Sequence, residues 1–321
     1  MLNNALVSIC IPCYNSASYL HDTLSCLLHQ THQAIEIIII DDNSNDESLK
    51  IISEFAFYDN RIKFELTTKK GASSARNQAY SQSKGAYIIF FDADDWIPKN
   101  FIASQLATLK SDNEVVVAKW GRFEKNELST IKTDEYQIER DLTFEEWIVA
   151  YWNNNSNMTC PGRILIPRNQ IELSGLWDED LTLNDDFPFY MRLFCNSSSI
   201  RFNKETLFHY RSGINGLSSK NDTLSNISFF QSIKRCVDVA LEKFKHNKNV
   251  ALACANLWQN FIYEVYPNQS DLLKSATKQI QLLGGSDYPF PAGGVTRILN
   301  YIIGWKIVSR LKHFKKYERK I

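Results

Sequence analysis

Tyr87-Ile88-Ile89-Phe90-Phe91-Asp92-Ala93-Asp94-Asp95 is an apolar run that ends in three carboxylates within four positions. The run has the composition of a strand buried on both faces, and its abrupt end puts the acidic groups at the mouth of that strand. Like charges crowded in this way need relief from a hard divalent ion or from solvent. An Asp-x-Asp pair can hold Mg²⁺ or Mn²⁺ through one or two carboxylates while water and substrate phosphates take the remaining positions, which suits a metal-bound diphosphate. An ordinary solvated turn before Pro98 has the same composition, so the stretch alone leaves both readings open.

Outward from this strand the chain alternates. Val7 to Pro12 and Ile35 to Asp41 are continuous apolar runs rich in β-branched residues, and Leu20, Leu24, Leu27 and Leu28 recur between them at helical spacing over Ser18 to Gln30. The alternation continues with a helix from Glu47 to Phe57, a strand at Ile62 to Leu66, a helix from Ser73 to Ser83, the Tyr87 strand, a helix near Phe101 to Leu109 and a strand at Val115 to Lys119. This pattern predicts an α/β fold with a mostly parallel sheet and helices on both faces, whose ligands bind at the carboxyl ends of the strands. Tyr14 and Asn15, Asp41 and Asp42, and Asp92 to Asp95 all stand at such ends. No Gly-x-Gly-x-x-Gly follows the first strand and no Gly-x-x-x-x-Gly-Lys-Ser/Thr occurs, which removes the main support for a dinucleotide fold or a P-loop.

Bulk properties narrow the class further. Hydrophobic residues make up 44% of the 321, as in a globular protein, and 36 basic against 36 acidic residues leave no net charge for bulk nucleic-acid binding. The seven cysteines are odd in number and scattered, which fits a reducing compartment. Cys10-Ile11-Pro12-Cys13 has redox or zinc spacing, but no second Cys/His pair accompanies it. Leu6 to Pro12 is too short an apolar stretch for a signal or spanning helix, so a cytoplasmic location is expected.

After Lys119 the alternation gives way to a helix at Thr143 to Trp152, a polar loop and a short strand at Arg163 to Pro167. A second acidic knot, Asn184-Asp185-Asp186, then opens a helix through Phe194. Helices are predicted at Leu224 to Phe244, Val250 to Tyr263 and Asp271 to Leu283. The last stretch, Val295 to Lys320, reads as one amphipathic basic helix, with Ile298, Leu299, Ile302, Ile303, Ile307 and Leu311 set against Lys306, Arg310, Lys312, Lys315, Lys316, Arg319 and Lys320. Such a helix suits the surface of an anionic leaflet, and equally suits packing on a domain with its basic face in water.

Four blocks together carry a resemblance: Val7 to Asn15, Ile38 to Ser44, Gly71 to Asn77, and Gly85 to Asp95. In this order they resemble the successive signatures of family 2 glycosyltransferases with the GT-A fold. Asp185-Asp186-Phe187 with Arg192-Leu193 is similar to the family's Glu-Asp block, and His209-Tyr210-Arg211 through Ser218 resembles its Tyr-Arg block more loosely. The resemblance implies a GT-A catalytic domain over 1–219, with a nucleotide half over about 1–119 and an acceptor half over about 120–219, followed by a helical region over 220–321.

By the same resemblance, Asp42 would accept a hydrogen bond from a uracil ring while Tyr14, Asn15 and the backbone around Pro12 line the base. Arg76 would help fix the nucleotide. Asp92 and Asp94, with Ala93 between them, would hold the ribose and an Mn²⁺ or Mg²⁺ ion that bridges the diphosphate. Asp186 matches the catalytic base of an inverting transfer, with Asp185 as its neighbour or substitute. Helix-end capping is the structural alternative for both. Gly213 stands where the family commonly has a His, which leaves a third metal ligand from that loop in doubt. The implied activity is transfer of a sugar from a UDP-sugar to a saccharide, lipid-linked at the inner face of a bacterial membrane. A sugar-1-phosphate nucleotidyltransferase would need a glycine-rich basic loop that Cys13 to Ser18 lacks, and a non-catalytic scaffold would not need Asp92, Asp94 and Asp186.

Overall fold

The computed structural model describes residues 4–154, 156, 159–214 and 222–318, with side chains as far as residue 311. By its contacts the chain divides into two compact units, Met1–Phe144 with Met158–Lys220, and Glu145–Asn157 with Asn221–Ile321.

The first unit is built on strands β1 (Val7–Cys13), β2 (Ile35–Asp41), β3 (Ile62–Leu66), β4 (Tyr87–Phe90), β5 (Glu114–Glu124), β6 (Glu127–Thr133), β7 (Ile164–Pro167) and β8 (Ser199–Ser212). They form one sheet in the order β3-β2-β1-β4-β7-β5-β6, with β8 paired to β5. Helices α1 (Ala17–Leu28), α2 (Ser48–Tyr58), α3 (Ala72–Gln82) and α4 (Phe101–Thr108) fill the crossovers of the amino-terminal half. α6 (Arg168–Ser174) and α7 (Asp186–Asn196) follow β7.

Every residue of β2 is buried, as is nearly all of β1, which explains their unbroken apolar composition. β1 runs parallel to β2 and β4, and β2 parallel to β3, so Cys13, Asp41 and Phe90 end at one edge. The core on this side gathers Ile9, Leu24, Ile37, Phe101 and Phe208.

The sheet is more mixed than the alternation implies. β7 runs antiparallel to both β4 and β5, and β6 antiparallel to β5. β8 runs parallel to β5 with a register shift at Ala118/Lys119, and an isolated bridge joins His209 to Trp96. This last pairing carries the end of β8 to the turn that follows β4.

The second unit holds α5 (Phe144–Trp152) beyond its first residue, α8 (Thr223–Lys243), α9 (Lys248–Val265) and α10 (Ser270–Leu282). Asp222 caps α8 by accepting from the Ser225 N–H, and Asn247 caps α9 by accepting from those of Asn249 and Val250. Asn247 also donates to Glu145 at 2.6 Å and Asn256 to Asn153 at 2.9 Å, which ties α5 to α9. The final amphipathic stretch is two helices rather than one. α11 (Val295–Ile303) ends at Gly304, whose φ of 76° a side chain resists, and α12 (Trp305–Glu318) begins beyond it. Arg319 and Lys320 lie outside the described residues, as does the Ser218 end of the Tyr-Arg block.

Candidate active site

Two short loops bring the first acidic pair into place. Asn15, with φ 47°, follows β1, and Asn43, with φ 58°, follows β2, so both chains turn sharply at the sheet edge. Asp41 closes the second turn by accepting from the N–H and hydroxyl of Ser44, at 2.9 and 2.6 Å. The loops are zipped together where Asn15 N–H donates to Ser44 Oγ and Asn15 Oδ1 accepts from Asn45 N–H, both at 2.9 Å. The Asn15 amide oxygen is thereby used within the protein.

Asp42 differs from Asp41. Its Oδ2 accepts from Gly71 N–H at 3.0 Å, whereas its Oδ1 is buried with no hydrogen-bond partner. A buried carboxylate oxygen without a donor is expensive unless a ligand supplies one. Tyr14 beside it is 58% exposed, so its ring is free to meet a planar group.

The second acidic group is organised around Arg76 of α3. Its guanidinium donates from Nη2 to Asp92 Oδ1 at 2.8 Å and from Nη1 to Asp185 Oδ2 at 3.0 Å, and it lies 4.4 Å from the centre of the Trp177 ring. Ser73, one turn earlier on α3, donates to the same Asp185 oxygen at 2.6 Å. Asn77 holds Trp177 by exchanging two hydrogen bonds with its backbone, and Trp177 stacks on Phe189 of α7 at 4.2 Å. Arg76, expected to fix the nucleotide, therefore spans the Asp92 turn and the start of α7. Sequence reading missed Trp177, which sits in no motif, and Ser73 as a partner of Asp185.

Asp186 is the first residue of α7, and Thr159 donates to its Oδ2 at 2.7 Å. Burial, with the charge of Asp185 beside it, pushes its carboxyl up to about 7, against the opposing pull of Thr159 and Arg76. Asp92 adds to the same rise, which places Asp186 within reach of the β4 cluster. The two adjacent carboxylates thus have different occupations: Asp185 is engaged by Arg76 and Ser73, while Asp186 is poised to accept a proton near neutral pH. Neither side chain caps α7 by accepting a backbone N–H.

Burial and the charge of Asp92 push the Asp94 carboxyl up to about 7, partly opposed by Arg211. Asp95 is fully buried, and its Oδ1 accepts from the Arg211 N–H at 2.8 Å. Among the described residues no group of three His, Cys, Asp or Glu side chains is gathered for a metal. The donor set nevertheless fits a hard divalent ion. Asp92 and Asp94 are hard oxygen donors whose mutual repulsion a cation relieves, and water and a diphosphate can complete its shell. His209 is used otherwise: its Nδ1 lies 2.9 Å from the Leu207 carbonyl, its ring stands edge-on to Trp96, and burial lowers its basicity. Cys10 and Cys13 are both buried in β1 with free thiols, and burial pushes Cys13 up to about 12.

A mixed sheet whose strand ends gather acidic loops, flanked on both sides by helices, is the GT-A architecture. Residues 8–169, about half of the chain, match the family described as glycosyl transferase family 2, and the chain belongs to that family. It is 30% identical over 208 residues to the putative glycosyltransferase EpsH of Bacillus subtilis, covering 64% of this chain and 60% of EpsH. It is 29% identical over 220 residues to glycosyltransferase GlyG of Streptococcus pneumoniae, covering 64% and 70%. In fold it is similar to Staphylococcus aureus TarS 1-349 in complex with UDP-GlcNAc, with a TM-score of 0.68 at 18% identity over 98% of this chain and 92% of that one. GalNAc-T7 with UDP, GalNAc and Mn²⁺ gives a TM-score of 0.58 at 19% identity, over 91% of this chain and 60% of that one.

Proposed function

We propose that this protein is a divalent-metal-dependent, inverting glycosyltransferase that moves a sugar from a UDP-sugar to a saccharide acceptor. The observation that carries the reading is the division of labour at α7. Asp185 is locked to Arg76 and Ser73, while the partly buried Asp186 keeps a carboxyl raised to about 7 in the same charge cluster as Asp92.

In the proposed reaction the Asp186 carboxylate takes the proton of the acceptor hydroxyl as that oxygen forms a bond to the anomeric carbon. The bond from that carbon to the diphosphate breaks on the opposite face, and the electron pair leaves with UDP. Asp42 accepts from the base through its unpartnered Oδ1, with Tyr14 stacking on the ring and the Pro12 backbone lining it. Arg76 holds Asp92 and α7 in register, so that donor and base are presented together. Asp92 and Asp94 would hold the Mn²⁺ or Mg²⁺ ion, which would neutralise charge on the departing diphosphate. The nucleotide half spans about 1–119 and the acceptor half about 120–219.

TarS is described with UDP-GlcNAc and GalNAc-T7 with UDP and Mn²⁺, which supports the donor and metal assignments. EpsH and GlyG, glycosyltransferases of bacteria, support sugar transfer in a bacterial setting. In the proposed role that transfer serves surface polysaccharide synthesis, of O-antigen or capsule type, on a lipid-linked acceptor in the cytoplasm. Among the described residues no helix is long and apolar enough to cross a membrane. α11 and α12 support peripheral attachment instead: Ile298, Tyr301, Ile302 and Ile307 are exposed alongside Arg297, Lys306 and Arg310.

Calorimetry with UDP, in the presence and absence of Mn²⁺, tests the donor assignment. Binding strengthened by Mn²⁺ is the expected outcome, and no UDP binding with Mn²⁺ present would remove the assignment. A donor screen that found release from a TDP- or GDP-linked sugar instead would overturn the role of Asp42.

A further inference from the structure

The turn that carries Asp92 and Asp94 has its backbone tied on both sides. Thr23 of α1 donates to the carbonyls of Ala93 and Asp95, at 3.1 and 2.9 Å. From β8, His209 and Trp96 exchange two backbone hydrogen bonds. Arg211 supplies the remaining ties. Its N–H donates to Asp95 Oδ1 at 2.8 Å and its Nε to the Asp94 carbonyl at 2.5 Å. Its Nη1 donates to Asn126 Oδ1 at 2.6 Å and to the Lys125 carbonyl, both in the turn between β5 and β6. The guanidinium lies between the rings of Phe123 and Tyr19, at 4.6 and 4.9 Å, and the residue is only 3% exposed. A guanidinium committed in this way is not available to a substrate.

We propose that Arg211 is a positioning residue for the divalent-cation site, fixing the Asp94 backbone so that the Asp92 and Asp94 carboxylates face one ion. This rests on the reading of Asp92 and Asp94 as the cation site, and extends it to a residue that touches neither substrate nor metal. Replacing a side chain that orients a metal ligand typically costs about 10- to 100-fold in metal affinity. The N–H bond to Asp95 survives any substitution that keeps an amide, so side-chain variants remove the Nε and Nη1 ties, the ring contacts and a longer ion pair from Nη2 to Asp22 at 3.9 Å. The uracil-side groups, Asp42 and Tyr14, belong to other loops and are left intact.

The test is Mn²⁺ binding in the presence of UDP, read from the free-Mn²⁺ electron paramagnetic resonance signal, for wild type, Arg211→Lys and Arg211→Gln. UDP binding in EDTA is measured in parallel. Both variants are expected to bind Mn²⁺ about tenfold or more weakly while binding UDP in EDTA as wild type does. Asn126→Ala, at the exposed hairpin tip, removes one tie without opening the core and is expected to weaken Mn²⁺ binding about threefold, less than the range for a whole orienting side chain. It keeps the question open to measurement if the arginine variants do not fold. Folded variants with wild-type Mn²⁺ affinity would overturn this proposal and leave the metal site standing. Equal weakening of Mn²⁺ and UDP binding would also overturn it, by making Arg211 a general fold residue. A wild-type protein that binds UDP but no Mn²⁺ would overturn both this proposal and the metal assignment.

Discussion

Asp186 lies partly buried beside Asp185, and in the proposed role its carboxyl, raised to about 7, would set the pH dependence of the chemistry. A base must be deprotonated to act, so transfer measured as UDP release at saturating substrates is expected to rise about tenfold per pH unit below about 7 and level off above it. A profile flat from pH 5.5 to 8 would contradict the assignment. The same shift has a stability consequence of opposite sign. Asp94 and Asp186 both move from an ordinary 3.8 to about 7, so between those values the folded protein binds more protons than the unfolded chain. Their contribution is lost as pH rises through 7, and the EDTA-treated protein is expected to melt at a lower temperature at pH 8 than at pH 5.5. Arg76 is the opposite case, a buried cation whose removal strands two carboxylates. Arg76→Met is expected to destabilise by about 3 kcal/mol in denaturant titration, as for a broken buried ion pair. At this scale the carboxylates were legible because short motifs carry them. The partners of Arg76, Asp186 and Asp95 were not: Asp185 and Arg211 stand in blocks of their own but approach from remote stretches, and Thr159 and Trp177 sit in no local pattern.

Elements with a strong period came through the sequence nearly residue for residue. β1 and β2 are buried on both faces and α1 and α4 bury the positions their apolar spacing marks, whereas β3 buries only Ile62 and α3 buries Ser73, Ser74 and Arg76 beside its alanines. β6 was missed because it is a polar edge strand with most of its residues in solvent. β8 was missed because its register shift against β5 breaks the two-residue period over Asn203 to Thr206. The break at Gly304 was hidden by apolar residues that continue at helical spacing on both sides. One block residue has a clear physical reason. A Cβ on Gly85, at the entry to β4, would lie 2.7 Å from the backbone oxygen of Leu6 and from the backbone nitrogen of Ser8. Neither atom can swing aside, so Gly85→Ala is expected to destabilise by about 2 kcal/mol, seen as a thermal midpoint several degrees lower. An unchanged midpoint would show that β1 and β4 can part without penalty.

For the whole molecule, the two units pose different questions. The first holds the acidic site, and its fold class was readable from the alternation alone, although the antiparallel β7 and β6 were not. The second presents α11, in which Tyr301 is 92% exposed and no residue is buried. Vesicles containing phosphatidylglycerol are expected to carry the protein upward on flotation, less so in high salt, and not at all after Ile298→Glu with Ile302→Glu. Equal flotation on neutral vesicles, or none on anionic ones, would contradict peripheral attachment through this face. The most direct test of the catalytic account is a single comparison of Asp186→Asn with wild type, in which UDP release with acceptor is measured on protein whose UDP and Mn²⁺ binding has been verified. The account expects binding to persist while turnover falls by at least about a hundredfold. Turnover within a few-fold of wild type would place the base elsewhere.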